Sequence, residues 1–528
     1  MALNSSTPIR LPSDATVGFL GQLSWAQAPY FIATLIFLAI CSSPFRKSSS
    51  IVQLNPKKSV FDVLQIGPRK SFFTEADEII KRWLSEKPTT SAKLITWDGE
   101  VVLVPPHMVD EVKNDRRLSL SLWLRKAFHA HLPGFEGFQE GGYHHDVLKS
   151  TCNNQLNKNL AKLTQPLADE AASAVSDIFT EEQEWHKIHI LENIPNIVAR
   201  CVAQVFLGEE FARNPAWIKI TRDYTLAGVP VGFILRLWPV SWRPILQWLI
   251  PGTGKLRSMM AEARQIMEPA LEKRKQQKAA GESGFMDSLQ WFDESARAKE
   301  YDQTGVQVFL SVAAIHTSTD LICATLVRLA QNPEIMSPLR QEIANVLEES
   351  GWEKSSLYKM KLLDSVIKES QRMKPVAIGL SLCSSFQYAT NAGKVLRRIV
   401  LEDMTLSDGT TLRKDSTVAI PSYRMWESEF YKDPAKWDGY RFFKMREQPG
   451  QESQYQLATT SVDHFGFGYG RQPCPGRFYA ADLVKAILIN IVMKYDFQPR
   501  EGESLDSMLF GFDSTFDPSL NMDFKRRK

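Results

Sequence analysis

The chain has 528 residues, 44% of them hydrophobic and 23% charged. That is the composition of a globular protein and excludes a disordered or fibrous one. The formal charge of +3 is nearly balanced and no basic stripe or recognition motif accompanies it, so nothing points to nucleic acid as a partner.

Residues 15–45 carry no charge, and the densest apolar part lies between Tyr30 and Cys41. Residues 23–43 supply the roughly 20 apolar residues that a bilayer span needs. Arg46, Lys47, Lys57 and Lys58 come next, and the positive-inside rule then predicts a single-pass anchor with everything after it in the cytosol. Residues 1–22 are expected on the lumenal side, where Asn4-Ser5-Ser6 is a formal glycosylation sequon. A linker over 44–58 leads into one domain over 59–528. A second apolar stretch, 238–251, is too short to span and contains Arg243. It reads as a core segment or as a patch dipping into the bilayer surface.

Residues 93–97 and 100–104 alternate around Asp98-Gly99 and predict a β-hairpin. From about Asp146 to Met373 helical periodicity dominates, as in 188–207 and 259–278. His144-His145 and the pair His186 and His189 have no further ligands nearby and read as solvated. Residues 303–329 predict a long buried helix, ended by Asn332-Pro333. This helix carries Ala313-Ala314-Ile315-His316-Thr317-Ser318. Further on, Glu369 and Arg372 share one helix face at i, i+3 spacing. Three short alternating runs beginning at Arg398, Met404 and Thr417 then predict a second β region. Helix-rich sequence with a little sheet at both ends gives one mainly α domain with small β-sheets, an α+β architecture. The basic tail 525–528 reads as a solvated end.

The six cysteines, Cys41, Cys152, Cys201, Cys323, Cys383 and Cys474, are too sparse for a disulfide scaffold and contain no CxxC pair. Reduced, mostly buried thiols are expected. Cys474 differs in its setting, Phe465-Gly-Phe-Gly-Tyr-Gly-Arg-Gln-Pro-Cys474-Pro-Gly-Arg-Phe. The glycines let the backbone approach a flat ligand closely. Pro473 and Pro475 stiffen the chain on either side of the sulfur. A helix predicted over 480–495 points its N-terminal amides at the thiol, which favours the thiolate and metal ligation. The spacing is not GxGxxG, and no βαβ unit surrounds it, so it is not a nucleotide loop.

Phe467, Gly470, Cys474 and Gly476 resemble the haem-binding signature of the cytochromes P-450. The resemblance runs over nearly the whole chain, from Asn55 to the helix after Cys474. It implies the cytochrome P-450 fold and haem b (iron protoporphyrin IX) held axially by Cys474. Two positions depart from the pattern: Gln472 stands where a basic residue usually meets a haem propionate, and Pro473 precedes the ligand. The resemblance further implies that Glu369 and Arg372 join Arg441 in a buried network behind the cysteine loop. It makes residues 313–318 the oxygen-activating segment, with Thr317 as the alcohol of a proton relay and His316 where an acid is commoner. Arg398 is similar to a propionate partner. His145 and Lys149 have the spacing of the family's Trp-x-x-x-Arg helix. Residues 376–380 and the helix face near Ala313 are expected to line an apolar pocket.

The wording AAIHTS, LDSVIKESQR and CPGRFYA is similar to fungal microsomal members of secondary metabolism, some of them ent-kaurene oxidase-like, which oxidise terpenoids and alkaloids. The resemblance thus implies a monooxygenase that inserts one oxygen atom from O2 into a hydrophobic small molecule. The chain has no flavin or NADPH motif. NADPH-cytochrome P-450 reductase is therefore the expected electron donor, with NADPH and O2 as co-substrates, at the endoplasmic reticulum membrane. A haem-thiolate isomerase or dehydratase that does not use external O2 is the competing reading, and the retained Thr317 argues against it.

Overall fold

In the computed structural model, residues 51–57, 62, 65–143, 145–297, 299–375 and 395–528 are described. The expected anchor 23–43, the residues before it, the Asn4 sequon, residues 376–380, Cys41 and Cys383 lie outside the described residues. The long helix, Gln303–Gln331, organises the rest. Asp302 caps it, its side chain accepting from the Gly305 N–H at 2.9 Å. It is apolar on nearly every face, and such a helix belongs inside a protein. The helices Glu136–Tyr143, Ile190–Leu207, Pro215–Arg236 and Lys361–Met373 pack against it. Both Ile190–Leu207 and Gln303–Gln331 are long and apolar enough to cross a membrane, but most of each is buried against protein, as core helices are.

Three helix boundaries differ from the periodicity. The helix expected from residue 188 begins at Ile190, because His186–His189 is a strand paired antiparallel to Asn521–Arg526. The other edge of that strand corrects the reading of the basic tail as solvated: Lys525 and Arg526 pair with Asp496 and Tyr495, and Arg526 Nε sits 2.7 Å from Glu181 Oε2. The helix expected over 259–278 starts at Pro251, where a missing N–H costs nothing at the first helical position. The helix expected over 480–495 is Arg477–Lys494, which brings its first turn three residues closer to Cys474.

The hairpin forms as predicted, Ala92–Thr96 against Gly99–Leu103, with Thr96 opposite Gly99. Of the later β region, Met404–Thr405 pairs with Thr411–Leu412 in a small sheet of its own, while the other two strands join the hairpin. Thr417–Pro421 pairs parallel to Gly99–Leu103 and antiparallel to Val395–Val400, so strands from both ends of the chain make one six-stranded sheet. Side chains alternate across a strand. On Val395–Val400, Ile399 packs against Trp123 and Ala127, while Leu396 and Val400 pack in a cluster with Phe465 of the cysteine loop. Arg398 shares the second face.

Candidate functional site

Cys152, Cys201 and Cys323 are buried, whereas Cys474 is exposed. Burial, with the nearby Cys474 as a second cause, pushes the Cys152 thiol up to about 12. It is an inert core cysteine. The backbone holds Cys474 in place: its N–H donates to the Phe467 carbonyl at 2.8 Å, and Arg477 Nη1 donates to its carbonyl at 3.1 Å. The helix Arg477–Lys494 starts three residues later, with Gly476 at its cap.

Gly470 has φ +78°, and a Cβ there would meet the Lys113 carbonyl oxygen at 2.6 Å. No other residue fits both constraints. Gly466 meets a different neighbour, since its Cβ would come 1.9 Å from Gln371 Oε1. Gln472 stands where a basic residue usually meets a propionate. Its Oε1 accepts from the Leu120 N–H at 3.1 Å and ties the loop to the helix Leu120–Ala127. Phe467 is half-buried and packs on the main core.

Beneath the loop, Glu369, Arg372 and Arg441 are brought together and buried. Glu369 Oε2 and Oε1 take Arg372 Nε and Nη2 at 2.8 and 2.9 Å, and Oε1 also takes Arg441 Nε at 3.0 Å. Arg372 Nη1 donates to the Met425 carbonyl and Arg441 Nη2 to the Lys436 carbonyl. A charge cluster this deep persists only when its hydrogen-bonding capacity is met.

Sequence reasoning missed three members of the same layer. Lys368 is buried and donates to the Gln456 and Thr459 carbonyls at 2.8 and 2.9 Å, and burial lowers it to about 8. Asp364 takes Lys485 at 2.5 Å and Arg446 at 3.1 Å. Lys374 pairs with Asp320 of the long helix. The available signal was a helix rich in Asp, Lys, Glu, Gln and Arg with apolar residues only at 362, 363, 366, 367 and 373, a pattern that resembles a solvated face.

On the long helix, Ala313 is exposed although Leu310, Ser311 and Ile315 around it are buried, so an opening lies against this face. Thr317 Oγ1 donates to the Ala313 carbonyl at 2.7 Å, which turns its oxygen outward as an acceptor. His316 is engaged elsewhere. Its Nε2 lies 3.0 Å from the Arg222 carbonyl on the helix Pro215–Arg236, so Nε2 carries the proton. Burial, as the main cause, holds the ring down to about 4 and therefore neutral. The N–H of this neutral ring is thus committed to a neighbouring helix.

Arg398 donates Nη1 to the Arg397 carbonyl at 2.7 Å, and burial alone lowers it to about 10, with no acidic group among the causes. A cation in that state calls for an anion. Lys149 Nζ donates to the Arg471 carbonyl at 3.3 Å at the edge of the cysteine loop. His145 lies in the helix His145–Thr151, with its side chain outside the described residues. An exposed cysteine on a glycine-shaped loop, an opening at Ala313 and a half-buried Arg398 with no ion-pair partner among the described residues suit an anionic, flat, iron-bearing cofactor. The residues present fit haem.

A family model described as Cytochrome P450 matches residues 100–521. The chain is 40% identical over 437 residues to cytochrome P450 monooxygenase 1 of Gibberella fujikuroi, covering 81% of this chain and 96% of the relative. It is 36% identical over 501 residues to cytochrome P450 monooxygenase TRI1 of Fusarium sporotrichioides, covering 94% and 89%. It is 33% identical over 500 residues to dihydromonacolin L monooxygenase LovA of Aspergillus terreus, covering 93% and 91%.

Proposed function

The chain belongs to the cytochrome P450 family and is a monooxygenase, and on that premise we propose that it inserts one oxygen atom of O2 into a terpenoid- or alkaloid-type intermediate of fungal secondary metabolism. The net reaction is RH + O2 + NADPH + H⁺ → ROH + H2O + NADP⁺. The environment of Cys474 carries this reading: an exposed thiol, fixed at Phe467 and Gly470, at the start of a helix.

Bound haem supplies the activation of dioxygen and the insertion of oxygen. The chain supplies the rest. Cys474 would hold the group, and Arg398 and Lys149 would meet its carboxylates. Ala313 leaves room for a small molecule beside the helix. Thr317 Oγ1, with its own proton held by the Ala313 carbonyl, orients a donor such as water and so steers proton delivery. The Glu369, Arg372 and Arg441 network keeps the loop from shifting.

The electrons come from a separate NADPH-cytochrome P-450 reductase, for which the exposed Arg471 beside the loop is a contact. Residues 23–43 anchor the enzyme in the endoplasmic reticulum membrane. The exposed side chains of Leu237, Trp238, Val240, Ile245, Trp248 and Leu249 support contact with that surface.

The test uses microsomes holding the enzyme and a reductase, a panel of terpenoid and alkaloid precursors, NADPH and ¹⁸O2. The expected product gains one ¹⁸O atom and requires both NADPH and oxygen. A product formed equally well without oxygen would make the enzyme an isomerase or dehydratase.

A further inference from the structure

Between Asp223 and Glu262 the chain carries no acidic residue but four cations, Arg236, Arg243, Lys255 and Arg257. The same stretch is apolar and open. Val240, Ile245 and Leu249 are 64%, 69% and 74% exposed, and Trp238 and Trp248 are exposed among them. Single apolar residues on a surface need no explanation, but a run of this size does.

Arg236 is neutralised, since its Nη1 pairs with Asp98 Oδ1 at 2.9 Å. Arg243, Lys255 and Arg257 form no ion pair among the described residues. Arg243 Nε donates to the Trp238 carbonyl at 3.1 Å, which fixes the guanidinium inside the apolar run. Burial, and after it the charge of Arg236, lowers Arg243 to about 10, so it is charged at neutral pH and gains from a nearby anion. Arg257 stacks its guanidinium 4.3 Å from the centre of the Trp248 ring, and its Nη1 is buried with no hydrogen-bond partner among the described residues. Its stem runs along Gly134, where a Cβ would sit 2.9 Å from Arg257 Cγ. A buried stem with its head on an exposed aromatic ring holds a cation at the edge of an apolar patch. The helix Pro251–Ala279 starts between the two arginines with no capping side chain and no acid in its first turn, so its positive end adds to the same field.

Exposed apolar residues set among cations suit the interface of a bilayer, and unpaired cations there favour an anionic headgroup. An acidic protein would answer the charges but leave Trp238, Ile245 and Leu249 against a polar surface. We propose that this surface selects anionic phospholipid, with Arg243 and Arg257 meeting the headgroup and the apolar side chains between them entering the acyl boundary. The inference rests on the reading of this stretch as a bilayer contact and adds the class of lipid.

The test reconstitutes the full-length holoenzyme in vesicles of phosphatidylcholine and phosphatidylserine at one fixed ratio, with bromine on the acyl chains of one lipid or of the other. Bromine quenches tryptophan on contact, so the two preparations differ only in which lipid reports. The fluorescence removed by Trp238→Phe with Trp248→Phe belongs to this surface alone. Brominated phosphatidylserine should quench that component about fivefold more strongly than brominated phosphatidylcholine at equal mole fraction, the enrichment that ~1 kcal/mol from one cation gives. Arg243→Gln with Arg257→Gln should bring the ratio close to one, its folding being checked by its melting temperature. The cations that follow residues 23–43 are unchanged in that variant. Equal quenching by the two lipids in the wild type overturns the proposal, as does a preference that survives in the arginine variant. A component that neither lipid quenches removes the bilayer contact itself, and the proposal with it.

Discussion

Gly470 is the position in the cysteine loop least able to accept a side chain. Gly470→Ala would place an L-residue at φ +78°, at a cost of about 1–2 kcal/mol. It would also press a methyl group into the Lys113 backbone. A lower melting temperature and a lower haem content per protein are expected; unchanged values would mean the loop is not pinned there. His129 and His464 are buried and His316 is half-buried, and desolvation is the chief cause that lowers the pKa of each. The unfolded chain therefore takes up protons near pH 6.5, before the folded one does, and stability rises with pH over that window. Acidification from pH 6.5 to about 4 should destabilise the fold by up to about 1.4 kcal/mol per pH unit for each such histidine. Urea unfolding at pH 7, 6 and 5 reads this slope directly. His316→Gln keeps an N–H for the Arg222 carbonyl and should flatten the slope while leaving turnover at neutral pH nearly intact. A large loss of turnover would mark His316 as a proton carrier.

At the scale of elements, the helix Lys361–Met373 packs on the core through Leu362, Leu363, Val366 and Ile367 and adds to it a buried charge network around Glu369. Removing one partner leaves the others buried and unmet. Glu369→Ala should therefore cost about 3–5 kcal/mol and release haem, with Arg441→Lys milder because one contact to Glu369 can be kept. Chemical unfolding followed through the haem absorbance measures both.

This helix also marks where the sequence was legible and where it was not. The i, i+3 spacing put Glu369 and Arg372 on one face, and the family resemblance supplied Arg441 as their partner. The burial of Lys368 and Asp364 was not legible, because their partners are backbone carbonyls and residues more than 80 positions away. The same limit applies to His316 and Gln472, whose partners, the Arg222 carbonyl and the Leu120 N–H, are tertiary. Periodicity also placed the long helix but could not tell that His186–His189 is a strand, since its pairing partner lies more than three hundred residues on.

Over the whole molecule, one sheet ties the two ends of the domain together, and the face of Val395–Val400 shared by Leu396, Arg398 and Val400 turns toward the cysteine loop. The exposed apolar stretch after the helix Pro215–Arg236 is the surface proposed to meet a bilayer. The domain without its first 45 residues should still sediment with phospholipid vesicles, and Ile245→Ser with Leu249→Ser should release it. Equal sedimentation of both proteins would remove that surface from the account. Every other assignment depends on the thiolate at Cys474. Its most direct test is the visible difference spectrum of the reduced, carbon-monoxide-bound enzyme in microsomes, beside Cys474→Ala. A red-shifted Soret band is predicted in the wild type, and the substitution should remove it. Properly folded wild-type protein without that band, or a band that survives in Cys474→Ala, would contradict it.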